Sequence, residues 1–353
     1  MNARVVHGGV TPAELAFARN AGIELVDLSA NLNPYGPHPE VVRAAAEAIV
    51  SRYPEPDART VRGAYAARSG LSVDQVLAGN GSSELIYLVA RALGRGRCMV
   101  AGPTFGEYAA AARAARLEVH EVRWFEPGRR AGIRDLERQV REFEPTLVFL
   151  CNPNNPTGAL VMASEIERLT AAVVRGGGRL VVDEAYMDFA WPENESVPPA
   201  PGRLVLKSLT KLHAIPGLRA GFLFGEPEDI EAVAAQQPPW SVSAPASAAV
   251  LRALQEHEFE HESRVAIAET RAQLVDALTR AGVDVAPSLA NFLLIRVGDA
   301  ATARTRLLGR GFVVRDCTSF GLPGHIRIAI PHVRHLEPLV VALKEELCPP
   351  GLC

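Results

Sequence analysis

From residue 76 onward the chain alternates short apolar runs with amphipathic or alanine-rich stretches. The apolar runs at 76–78, 98–101, 119–122, 147–150, 180–182, 204–206 and 221–224 predict strands, and the stretches 83–93, 107–116 and 163–175 predict helices between them. Alternation of this kind implies a mostly parallel sheet covered on both faces. Past Pro238-Pro239-Trp240 the texture changes. A long helical stretch is predicted from about 245 to 281, then strands at 291–297, 312–315 and 326–330, then a closing helix near 336–347. The expected fold is α/β. A seven-stranded, mostly parallel sheet lies in a large domain (40–240), and an N-terminal arm (1–39) joins 241–353 in a smaller α+β domain. The arm is rich in Asn, Pro and Gly before Glu40.

A length of 353 residues exceeds one ordinary core and agrees with two domains. Hydrophobic residues at 48% and charged residues at 22% describe a globular chain. The net charge of −3 supplies no basic field for nucleic acid or an anionic membrane. No signal-peptide pattern and no run of about 18 apolar residues is present, so the expected location is cytoplasmic. The cysteines Cys98, Cys151, Cys317, Cys348 and Cys353 are odd in number and scattered. Cys98 and Cys151 read as reduced thiols of a cytosolic core, and the tail pair is too short to argue for a metal site.

Candidate chemistry starts from lysine. Lys207, Lys211 and Lys344 are the only lysines, and arginine supplies the other cationic side chains. A lysine retained on that background suggests chemistry closed to a guanidinium, such as attack on a carbonyl to form a Schiff base. Lys211 sits in Ser208-Leu-Thr-Lys-Leu-His-Ala-Ile-Pro-Gly-Leu-Arg219, with two hydroxyls upstream and an arginine eight residues later. That set suits a ligand carrying an aldehyde and a phosphate. In parallel sheets ligands bind outside the carboxyl ends of strands, and the loops there agree. Gly79-Asn-Gly-Ser-Ser-Glu84 opens a helix whose first amides can hold a phosphate, although a plain helix cap is its bland reading. A dinucleotide fingerprint is disfavoured, because Glu84 replaces its third glycine. Phe105 could stack on a planar ligand or simply pack. Asn155 stands in a rigid loop with two prolines, and Asp183 ends an apolar run, where a buried acid requires a cationic partner such as a protonated ring nitrogen.

These pieces, in this order and at these spacings, resemble the fold-type-I pyridoxal-phosphate enzymes of the class I and II aminotransferases over essentially the whole chain. The resemblance implies pyridoxal 5'-phosphate as cofactor and a set of roles. Lys211 forms the Schiff base, Asp183 pairs with the pyridine nitrogen, and Asn155 and Tyr186 bond the phenolic oxygen. Phe105 stacks on the ring, where many relatives carry tyrosine. Gly81, Ser82, Ser83, Ser208, Thr210 and Arg219 hold the phosphate. Tyr53 reaches the phosphate of a partner subunit, which implies a homodimer with shared active sites.

Within that class the chain is most similar to the threonine-phosphate decarboxylases of cobalamin biosynthesis. The similarity rests on His7-Gly-Gly, Leu28-Ser-Ala-Asn-Leu-Asn-Pro34, the Lys211 run, Gln236–Val242 and Asn291–Arg296, although Val10 replaces an asparagine of that pattern. Histidinol-phosphate aminotransferases are the sibling group and, with related pyridoxal-phosphate enzymes of specialised pathways, the alternative. The implied substrate is a small amino-acid phosphate, with Arg327 on its carboxylate and His7, Asn31 and Arg315 as candidates for its phosphate. Each of the last three has another role open to it: His7 as a pin for the arm, Asn31 as a turn former, Arg315 as a solvated strand end. Two rivals carry less. His257-Glu-Phe-Glu-His261 matches a zinc-hydrolase motif but reads as a solvated helix face, and a DNA-binding regulator on this fold would need residues the chain does not have.

Overall fold

The computed structural model describes residues 5–125, 133–191 and 195–347. Each apolar run of the first half forms a strand, one or two residues longer than its apolar stretch. In chain order the strands are β1 (Val26–Asp27), β2 (Val76–Asn80), β3 (Arg97–Gly102), β4 (Glu118–Arg123), β5 (Leu147–Cys151) and β6 (Arg179–Asp183). They continue with β7 (Arg203–Lys207), β8 (Ala220–Phe224), β9 (Phe292–Arg296), β10 (Phe312–Val313), β11 (Arg315–Asp316) and β12 (His325–Ala329). Seven of them make one sheet in the order β2-β8-β7-β6-β5-β3-β4. Only β8 runs against its neighbours. The central strands are apolar throughout because both faces are covered: Leu147, Phe149 and Cys151 of β5 enter one core, Val148 and Leu150 the other.

This topology sets the site. The parallel strands β2, β3, β5, β6 and β7 all end at one edge, and the antiparallel β8 starts there. The residues after five strands and before a sixth, Arg219 among them, therefore converge.

The smaller sheet is antiparallel in the order β11-β12-β9, and β1 of the arm pairs with β10. The arm continues that contact, with Leu28 N donating to Val313 O and Ala329 N to Leu28 O, each at 2.8 Å.

Three features depart from the sequence pattern. The helical stretch at 245–281 is two helices, Ala244–Ala253 and His257–Arg280. The first buries Ala246 and Val250 in the core on one face of the large sheet; the second buries Ile267, Leu274 and Leu278 in the core shared with the small sheet. Their burial on different cores explains the break. The run at 312–315 likewise splits into β10 and β11, which belong to different sheets. Helices Pro12–Ala21, Pro39–Ala46, Arg59–Ser69, Ile133–Phe143, Pro227–Ala234 and Ala300–Gly309 were not among the elements the pattern predicted. Ile133–Phe143 does carry apolar spacing at the buried Ile133, Leu136 and Val140, whereas Arg59–Ser69 is dominated by arginine and alanine.

Cys98, Cys151 and Cys317 are free and buried, while Cys348 and Cys353 lie outside the described residues. His257, Glu258 and His261 are exposed on the first turns of their helix. No helix among the described residues is long and apolar enough to cross a membrane.

Strand β8 passes so close to the helix after β2 that a Cβ on Gly221 would lie 2.2 Å from Ser82 N. Gly221→Ala is expected to destabilise the fold by about 1–3 kcal/mol and to displace the Ser82 amide. Thermal unfolding of the purified variant checks this; an unchanged melting temperature contradicts the close approach.

Candidate active site

The convergent loops enclose a cleft of about 520 Å³, including its open mouth. One end is built for an anion. Helix Gly81–Leu93 starts without a side-chain cap at Asn80, so its first amides face the cleft with no partner inside the helix. Gly81 takes φ +77°, and a Cβ there would lie 2.4 Å from Arg219 Nη2, so the glycine makes room for the guanidinium. Arg219 itself sits in the left-handed region at φ 59°. Ser208 and Thr210, on the turn carrying Lys211, share a 2.7 Å hydroxyl contact at the same end. Amides, hydroxyls and a guanidinium gathered in this way suit an anion such as a phosphate.

The floor is Asp183, at the carboxyl end of β6 and 4% exposed. Among the described residues it forms no ion pair. Its Oδ1 accepts from Ala185 N at 3.0 Å and its Oδ2 from the Tyr108 hydroxyl at 2.7 Å. Burial raises its pKa above the ordinary carboxylate value, while those bonds and the charge of Lys211 work in the opposite direction. Lys211 is half-buried with Nζ 6.0 Å from the Tyr186 ring centre. Burial, then the charges of Arg327 and Arg219, hold its amine down to about 8. Burial pushes the Tyr186 phenol up to about 12, so it remains a donor. Phe105 and Asn155 complete the walls.

Outside the cleft wall stand the other predicted residues. Arg327 of β12 is buried, donates through Nη1 to Asn155 Oδ1 and through Nη2 to Ser29 O at 2.5 Å, and leaves Nε without a partner. Arg315 of β11 lies directly opposite it in the ladder. Arg315 holds the arm by donating to His7 O at 3.2 Å and Val6 O at 2.7 Å, and it also donates to Ser319 Oγ at 2.7 Å. Among the described residues neither guanidinium meets a carboxylate. Burial holds both pKa values down and Arg315 also feels the charge of Arg327, while Asp316 and Asp27 act on them only from beyond ion-pair distance; such burial costs stability unless an anion arrives. Asn31 is buried and leans toward the Tyr186 hydroxyl, yet its amide completes no hydrogen bond. The His7 side chain is committed to Glu107, at 2.8 Å, beside the Phe105 ring. Tyr53 is 81% exposed and packs on Trp240, so it takes no part in the cleft of its own chain.

Sequence reasoning missed Tyr108. The only signal was its place one turn after Phe105, at the opening of a helix, which reads equally as core.

The chain matches the family "Aminotransferase class I and II" over residues 23–343, and it belongs to that family. It is 34% identical to a histidinol-phosphate aminotransferase of Desulfitobacterium hafniense over 92% of each chain. It is also 34% identical to the threonine-phosphate decarboxylase of Salmonella typhimurium, over 97% of this chain and 96% of that one. Among solved structures it superposes with a TM-score of 0.83 on the histidinol-phosphate aminotransferase of Sinorhizobium meliloti in complex with pyridoxal-5'-phosphate. That pair is 22% identical, with 96% of this chain and 95% of the other covered.

The family works with pyridoxal 5'-phosphate, and this is the cofactor of the chain. The residues present fit it: helix amides with no partner inside the helix beside hydroxyls and a guanidinium, an aromatic wall, a buried carboxylate in no ion pair among the described residues, and an amine of lowered pKa, all lining a single cleft. Because Lys211 titrates near 8, its neutral, nucleophilic fraction rises with pH through that value. Capture of cofactor by the stripped protein is expected to accelerate about tenfold between pH 7 and 9 and then level off. Stopped-flow absorbance checks this; a rate still climbing beyond about pH 10 would mean an ordinary lysine.

Proposed function

We propose that the chain decarboxylates O-phospho-L-threonine to 1-aminopropan-2-ol O-phosphate, as a homodimer. The observation that supports this most is the pair of buried guanidiniums, Arg315 and Arg327, opposed across two strands with neither in an ion pair among the described residues. A substrate with one carboxylate and one phosphate answers both. Histidinol phosphate carries a phosphate but no carboxylate. The match to the decarboxylase relative covers 97% of this chain.

In this reading Lys211 is the attachment point, and the Gly81–Ser83 amides, Ser208, Thr210 and Arg219 hold the cofactor phosphate. Asp183 pairs with the ring nitrogen, Phe105 covers the ring, and Asn155 and Tyr186 donate to its phenolic oxygen. Arg327 already occupies the Asn155 carbonyl oxygen, which leaves the amide nitrogen free to donate. Pyridoxal phosphate, when bound, supplies an electron sink for whichever α-carbon bond stands perpendicular to its ring. Arg327 captures the substrate carboxylate and thereby sets which bond that is. Arg315 and Asn31 receive the substrate phosphate, and the arm around His7 keeps water out. As CO2 leaves, the amine of Lys211 holds and returns the proton that takes its place on the α-carbon. The arm and small domain, 1–39 with 241–353, carry the arginines; the large domain, 40–240, carries the cofactor. Tyr53 serves the phosphate of the neighbouring subunit, which accounts for its exposure on a single chain.

An aminotransferase is the second reading, favoured by the histidinol-phosphate aminotransferase relatives. One assay separates them. Purified protein given O-phospho-L-threonine and no keto acid should release CO2 and the amino-alcohol phosphate. Arg327→Ala should lower kcat/KM about 100-fold, roughly 2.7 kcal/mol, with a much smaller change in cofactor affinity. Amino transfer from histidinol phosphate to 2-oxoglutarate without CO2 would establish the second reading instead.

A further inference from the structure

Tyr108 has no role in the assignments above, yet it is among the most constrained side chains of the cleft wall. It is 1% exposed, on the second residue of helix Glu107–Ala114. Its ring stacks on Phe149 of β5, with centroids 5.2 Å apart and planes 12° from parallel. It also meets Phe105 edge-on at 5.6 Å. These contacts aim the hydroxyl at Asp183 Oδ2, where it donates at 2.7 Å with both side chains buried.

We propose that Tyr108 is a positioning residue that holds Asp183 in its carboxylate form, so that the proton shared between Asp183 and the cofactor ring stays on the ring nitrogen. This rests on the reading of Asp183 as the ring's partner.

A buried carboxylate is drawn toward its neutral acid, because desolvation penalises only the charged form. If Asp183 took the proton, the pair would become a carboxylic acid facing a neutral pyridine, a far weaker electron sink. Of the interactions that oppose burial at Asp183, the Tyr108 hydroxyl is the largest, ahead of the Ala185 amide and Lys211. Hydrogen bonds to ionised acceptors are about twice as strong as neutral ones, so the donation favours the charged state selectively. The phenol is itself held far above its ordinary pKa by burial and by Asp183, so it stays a donor. With Oδ1 bonded to Ala185 N and Oδ2 to Tyr108, both oxygens are fixed, and their remaining lone pairs face the cleft. Proton placement at Asp183 is thus decided by a residue that touches neither substrate nor the reacting bond.

The test loads the protein with pyridoxal phosphate labelled with 15N in the ring and reads the nitrogen resonance, which separates pyridinium from neutral pyridine. Tyr108→Phe keeps the ring and its stack and removes only the donor. The resonance should move toward neutral pyridine. The kcat should fall about tenfold with KM held within about twofold, as expected for one lost charge-assisted bond. Tyr108 replaced by 3-fluorotyrosine, a stronger donor, should move the resonance the other way, toward the pyridinium limit, with turnover kept. If Tyr108→Phe does not fold, a series of increasingly fluorinated tyrosines at 108 gives the same reading, since the resonance must track donor strength. A wild-type resonance in Tyr108→Phe, or no trend in the series, overturns the proposal whatever the turnover. Asp183→Asn separates the two levels of the argument. It should move the resonance to neutral pyridine. If it does and Tyr108→Phe does not, only the role of Tyr108 falls. If neither moves it, the pairing of Asp183 with the ring falls as well.

Discussion

A carboxylate buried at the end of a central strand, with no cation paired to it among the described residues, is the constraint on which the site depends. Asp183 stays in place because β6 is covered on both faces and because Tyr108 and the Ala185 amide satisfy its oxygens. Its charge is left for something the chain does not supply. Nearby the imbalance is reversed: Arg315 and Arg327 are buried with no ion pair among the described residues, and Lys211 is driven toward its neutral form by desolvation and like charge. A chain that keeps both kinds of unpaired charge in one region is arranged around a ligand of complementary pattern. A cationic ring nitrogen, a phosphate and a second anionic group satisfy that pattern together.

The sheet explains how such distant residues meet. Parallel strands deliver Asn80, Cys151, Asp183 and Lys207 to one edge, each followed by the loop that carries the chemistry. The one antiparallel strand brings Arg219 to the same edge from the other direction, and its Gly221 lets that strand approach the helix whose amides form the cradle. The small sheet then closes from the side. Its arginines bind the arm through backbone carbonyls and the cleft through Asn155, so arm, small sheet and cofactor wall share one polar seam.

Much of this was legible in the sequence, for a physical reason. Strands buried on both faces read as short apolar runs, and the loops after them carry chemistry that composition alone makes conspicuous, a lysine where arginine prevails and an acid behind Leu180-Val181-Val182. What escaped was what depends on tertiary neighbours. The break at 254–256 follows from two helices entering different cores, and the split of 312–315 from two sheets sharing one run. The opposition of Arg315 and Arg327 is a matter of register between strands ten residues apart in their starting positions. Tyr108 looked like core because two of its three contacts are ring packing; only the direction of its hydroxyl gives it a role.

The central claim is that Lys211, and not the lysine four residues earlier, is the amine of the site. Lys207 is the natural rival, yet its ammonium is tied to Glu184 and to Ser196 Oγ at 2.9 Å, and its pKa is raised rather than lowered. Borohydride reduction of the cofactor-loaded protein, followed by digestion and fragmentation mass spectrometry, locates the attachment directly. The account predicts reduced cofactor on Lys211 and none on Lys207. Label on Lys207 would contradict it.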